Sequence, residues 1–166
     1  MNVNIALLTV TDTRTFDNDK SGAILVEKIK EANHNLIDRK ICKDNKKDIV
    51  LILKEWLKNE KIDVIITTGG TGLTGRDITP EALDEIAEKY IPGFGEIFRN
   101  ISLKTVGTSA IQSRACAILS NGKYVFALPG SSGGVTDAWE GILKHQLDVN
   151  HKPCNFVELF PRLKEK

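Results

Sequence analysis

Residues 62 to 81, IDVIITTGGTGLTGRDITPE, carry a buried strand straight through a glycine-rich turn into a helix start. Ile62, Val64, Ile65 and Ile66 form a β-branched run with little alternation, which suits a strand covered by helices on both faces. Gly69, Gly70 and Gly72 free the backbone to turn sharply and to present N–H groups to an anion. Thr79, Pro80 and Glu81 read as N-cap, first helical residue and favourable first-turn acid. Strand, turn and helix in this order are the layout of a phosphate site. Arg76 and Asp77 add a cation and a candidate metal ligand between turn and helix.

The flanking sequence supplies the sheet such a site needs. Val3 to Val10 reads as a buried strand, a helix with Leu25, Val26 and Ile29 on one face follows from Asp19, and Leu36 to Cys42 makes a second strand. A helix carrying Ile49, Leu53, Trp56 and Leu57 then leads to the strand at Ile62, so the first 70 residues spell β-α-β-α-β with short connections. Leu83, Ile86, Ala87 and Tyr90 give a helix after Pro80 its apolar face, with Pro92 and Gly93 as breakers and a further helix over Phe94 to Leu103. Val106 to Ser109 is a second candidate anion loop. Ala115–Leu119 and Lys123–Leu128, joined across Asn121 and Gly122, predict one antiparallel hairpin strand in an otherwise parallel sheet. The strand ending at Leu128 meets a second Gly/Ser turn, PGSSGG, before a final helix bearing Val135, Trp139, Ile142, Leu143 and Leu147. One domain is expected, with its core in residues 1–150 and an irregular tail over 151–166.

Several functional classes fall away. The net charge of +1, without blocks of like charge, offers no field for nucleic acid or an anionic membrane, and no apolar run approaches a membrane span. A cytoplasmic protein is the expectation. Cys42, Cys116 and Cys154 form neither a C-x-x-C motif nor an evident disulfide framework, and His34, His145 and His151 stand alone. GTGLTGRD keeps the glycine spacing of a P-loop but places Arg and Asp where Lys and a hydroxyl belong, and no G-x-G-x-x-G follows the first strand.

Ligands of an open parallel sheet bind beyond the carboxyl ends of its strands. There the chain gathers Asp12, Asp44, the turn Thr68, Gly69, Gly70, Thr71 and Gly72 with Asp77, and the turn Pro129, Gly130, Ser131 and Ser132. Two glycine-rich turns suggest two phosphate subsites, and three acids suggest Mg²⁺, which takes one or two carboxylates plus substrate phosphates. Asp12 suits an Asx-turn as well as a metal, and Asp44 suits a helix N-cap as well as a metal. Asp77 is the acid least readily explained as structure.

TTGGTGLTGRDITPEAL, residues 67 to 83, resembles the MoaB/MogA family of molybdenum cofactor biosynthesis proteins. VTDTR (10–14), KDN (43–45), PGFGEIFR (92–99), GTSAIQSRA (107–115) and ALPGSSGGVTDAWEGIL (127–143) resemble further family motifs, and KPCNF (152–156) is similar to the MoaB branch. The resemblance implies a three-layer α/β/α molybdopterin-binding fold, a homotrimer or homohexamer, and contact with a molybdenum insertion protein. For active members it implies Mg²⁺-dependent adenylylation of molybdopterin by ATP. Asp44 and Asp77 match the two acids associated with that activity, and are expected to hold Mg²⁺. Arg76 and the GGTG backbone are then expected to bind phosphate, with Ser109 and the PGSS turn at the pterin phosphate. A non-catalytic molybdopterin carrier and, more remotely, a nucleotide pyrophosphate hydrolase remain alternatives.

Overall fold

The computed structural model describes residues 1–165; of the tail expected over 151–166, Lys166 lies outside the described residues. Six strands form one sheet in the order β2-β1-β3-β6-β5-β4. β1 (Asn4–Val10), β2 (Asn35–Cys42), β3 (Val64–Thr68) and β6 (Lys123–Leu128) run parallel, whereas β5 (Cys116–Ser120) is antiparallel to both β6 and β4 (Lys89–Tyr90). The sheet is therefore mostly parallel with one reversed strand. Asn121 (φ 47°) and Gly122 (φ 70°) both take the left-handed conformation that a two-residue hairpin turn requires.

Because successive strand residues point to opposite faces, β1 feeds two cores. Ile5 and Leu7 join Leu25 and Ile29 of α1 (Lys20–Glu31), Phe94 and Phe98 of α4 (Pro92–Val106), and Val135 of α5 (Ser132–Ala138). Ala6 and Leu8 pack on the other side against Leu53 and Trp56 of α2 (Lys46–Lys58) and Leu83 of α3 (Thr79–Asp84). Helices on both faces make three layers, and each fully buried leucine here contributes about 1.5–3 kcal/mol. α5 continues through a π-helical turn at Trp139–Leu143 into α6 (Lys144–Gln146).

Three expectations need correction. The helix after Pro80 stops at Asp84 rather than reaching Tyr90, because Glu88 N–H and Ile91 N–H donate to Leu119 O and Ala117 O and tie this segment to β5. Residues 107–112 form a 3-10 helix that follows α4 after Gly107 turns at φ 63°, rather than an open loop. The C-terminal segment is not irregular throughout: a 3-10 helix spans Val157–Arg162, and Phe156 and Phe160 pack their tilted rings against Tyr124. Cys42 and Cys116 are half-buried strand residues whose thiols burial pushes up to about 12 and about 11, which keeps both protonated.

Candidate functional site

The carboxyl ends of β1, β3 and β6 open into a cavity of about 590 Å³. Its wall runs from Thr9 through Thr11 to Arg14, along Thr68–Gly72, and across Pro129–Ser131, with Asp44 and Asp77 facing in and Gln112 and Ser113 closing one side. Gly69 has φ +101°, and a Cβ there would sit 2.2 Å from Val10 O, so only glycine lets the β3 exit pass this close to β1. Gly70, at φ +69°, leaves the space in which a Cβ would meet Thr79 Oγ1 at 2.4 Å and Asp44 Oδ1 at 3.4 Å.

Thr79 does not cap α3, as its sequence position suggests. The cap is Ile78, which makes no side-chain cap bond, and Thr79 Oγ1 instead donates to Gly69 O at 2.8 Å while Thr79 N–H donates to Gly70 O at 3.0 Å. The helix start thus locks the glycine turn from below. From the side it is held by Arg114, whose Nε donates to Gly72 O at 2.7 Å and whose Nη2 donates to Asp77 O at 2.8 Å, with Glu81 as its carboxylate partner. A third tie comes from Thr68 Oγ1, which donates to Pro129 O at 2.7 Å and joins the two glycine-rich turns.

The acids divide by what holds them. Asn45, not Asp44, caps α2, accepting from the N–H groups of Lys47 and Asp48. Asp44 is left on the cavity wall, and no side chain among the described residues donates to its carboxylate. Burial, followed by the charges of Asp12 and Asp77, pushes its carboxyl above the ordinary range. Asp77 is also pushed up by burial, but bonds from the Thr74 hydroxyl and N–H and from the Gly72 N–H outweigh this and hold it below the ordinary range. Asp12 is not on the wall: its Oδ1 accepts the Asp44 N–H at 3.1 Å, and its Oδ2 pairs with Arg76 at 3.4 Å.

Three acids converging on a metal therefore reduce to two carboxylates. Among the described residues no group of three or more His, Cys, Asp or Glu is arranged to hold a metal. Asp44 and Asp77 nevertheless fit Mg²⁺, which commonly takes one or two carboxylates and completes its shell with water and phosphate; a cation there would offset the repulsion that adds to burial in raising Asp44. Arg76, exposed and paired with Asp12, lies off the wall, as do Ser132 and Ser109. Ser131 is on the wall and caps α5 by accepting the Gly134 N–H at 3.1 Å.

The wall also holds residues that motif reading passed over. Thr9 and Ser21 line it, and both hydroxyls reach Asp19, a buried acid that caps α1, takes 2.6 Å from Thr9 Oγ1 and pairs with Arg39 at 2.9 Å. The Asp-x-Ser-Gly spacing at a helix start was the available signal.

A family model described as "probable molybdopterin binding domain" matches residues 6–149. Molybdenum cofactor biosynthesis protein B of Escherichia coli (strain K12) is 42% identical over 161 residues, 97% of this chain and 93% of that protein. A crystal structure of a molybdenum cofactor biosynthesis protein B superposes with a TM-score of 0.90 at 38% identity, covering 100% of this chain and 98% of the other. The tungsten cofactor synthesizing protein MoaB from Pyrococcus furiosus gives 0.76 at 34% identity, covering 87% and 92%.

Proposed function

This chain belongs to the MoaB/MogA family of molybdenum cofactor biosynthesis proteins, and we propose that within that pathway it uses ATP to adenylylate molybdopterin, releasing pyrophosphate. The observation that carries this reading is Asp44. It is a part-buried carboxylate raised first by burial and then by its acidic neighbours, released from helix capping by Asn45, and set on one cavity wall with Asp77 and two glycine-rich turns.

Adenylyl transfer joins a terminal phosphate oxygen of molybdopterin to the α-phosphorus of ATP and breaks the bond to the β-phosphate. Positioning and charge neutralisation are most of the work. The backbone at Gly69 to Gly72 and the turn at Gly130 and Ser131 offer anion-binding walls on either side of the cavity, and the bond from Thr68 to Pro129 O fixes their separation. Asp44 and Asp77 are suited to hold Mg²⁺, which when bound neutralises triphosphate charge. Arg114 keeps the Gly72–Asp77 loop in one shape, so that the Asp77 carboxylate is presented without reorganisation.

Leu103, Val106 and Ile111 on α4 and the 3-10 helix that follows it are exposed in the single chain, which favours their burial against another copy; the homotrimer or dimer of trimers is what the family resemblance implies. Incubating the pure protein with Mg-ATP and molybdopterin tests the activity: adenylylated pterin and pyrophosphate are expected together. Tight molybdopterin binding with no ATP-dependent product would select a non-catalytic carrier instead.

A further inference from the structure

The geometry assigns to Arg14 the recognition of the phosphoryl groups of the ligand, a task that sequence order gives to Arg76. This rests on the cavity being a site for phosphorylated ligands. Among the described residues Arg14 is the one cationic side chain on the wall. Its backbone is fixed, since the N–H groups of Thr13 and Arg14 both donate to Thr11 Oγ1 at 3.3 Å, while its guanidinium has no hydrogen-bond or ion-pair partner among the described residues.

The other arginines around the cavity are spent. Arg76 is three-quarters exposed and pairs with Asp12. Arg114 is used by Gly72 O, Asp77 O and Glu81, Arg99 donates to Ser113 O and Ala115 O, and Arg39 serves Asp19. A polyphosphate entering beside Asp44 and Asp77 meets two negative side chains and this single uncommitted cation. A guanidinium matches two phosphate oxygens at once and brings a full positive charge, which the neutral N–H groups of a backbone turn do not. Arg14 therefore discriminates ligands that carry phosphoryl charge from those that do not, and does so from a loop tethered at Thr11.

Calorimetric titration of the full chain with inorganic pyrophosphate and with Mg-ATP tests this. In Arg14→Gln both affinities fall about tenfold, and the loss shrinks as salt is raised, as a charge contribution must. Arg14 is exposed, so the variant keeps the wild-type fold by circular dichroism. Equal affinity of Arg14→Gln and wild type, a loss independent of salt, or a tenfold loss in Arg76→Gln with none in Arg14→Gln each overturns the assignment while leaving the proposed function standing. Failure of the wild type to bind either probe overturns the phosphorylated-ligand reading and this inference with it.

Discussion

Asp44 donates its backbone N–H to Asp12 Oδ1 at 3.1 Å, so the exits of β2 and β1 are joined by the acid whose charge also opposes ionisation of the Asp44 side chain. Asp12→Asn keeps an oxygen for that N–H and removes the charge. Carboxyl NMR titration of the metal-free protein is therefore expected to show Asp44 titrating lower in Asp12→Asn than in wild type. It should stay above the ordinary aspartate range, because burial, the larger cause, remains. An unchanged Asp44 titration contradicts the coupling.

Asp19 ties β1, α1 and β2 together, and its removal from this buried network costs about 2–3 kcal/mol in Asp19→Asn by denaturant unfolding at neutral pH. Burial pushes its carboxyl up, but Thr9, the Gly22 N–H and Arg39 outweigh this and leave it lowered from 3.8. A lowered folded-state value means stability that is fully present above the unfolded value and lost as pH falls through the folded one. Wild type should lose stability on acidification below about pH 4 more steeply than Asp19→Asn, and parallel pH profiles would refute the assignment.

Gly69→Ala forces a Cβ to 2.2 Å from Val10 O at φ +101°, with backbone rather than a flexible side chain in the way. It should destabilise by more than about 2 kcal/mol or prevent folding. Gly75→Ala in the same loop meets nothing within 4 Å and should stay within about 0.5 kcal/mol of wild type. Thermal unfolding of the pair separates a steric requirement at one glycine from a general need for flexibility.

Arg114→Met removes donors from Gly72 O and Asp77 O, and the half-exposed pair with Glu81 adds little. The global loss should be only about 1–2 kcal/mol, whereas hydrogen exchange across residues 70–77 should speed markedly and turnover should fall. Unchanged exchange in that loop would show that Arg114 does not hold it.

Much of this was legible in the residues themselves. Asn121-Gly122 announced its hairpin because few other pairs accept positive φ twice, and Gly69 and Gly70 announced a turn that approaches other backbone. The short α3 was not legible: Leu83, Ile86, Ala87 and Tyr90 keep helical spacing, but Glu88 and Ile91 give their N–H groups to β5, a partner about 30 residues later in the chain. The division of labour between the two acids lies in local hydrogen bonds that residue type alone does not specify. Asp77 has a local structural task, accepting from Thr74 three residues earlier, while Asp44 is freed by its neighbour Asn45. Arg114 and Asp19 act through partners separated by tens of residues, which spacing within a motif does not reveal.

Because the Asp44 carboxylate supports no side chain among the described residues, Asp44→Asn is the substitution that separates catalysis from folding. The decisive measurement is single-turnover formation of adenylyl-molybdopterin by Asp44→Asn beside its molybdopterin affinity and melting temperature. The account predicts wild-type melting, molybdopterin binding within about threefold of wild type, and adenylylation reduced at least about a hundredfold. Adenylylation at the wild-type rate would contradict it.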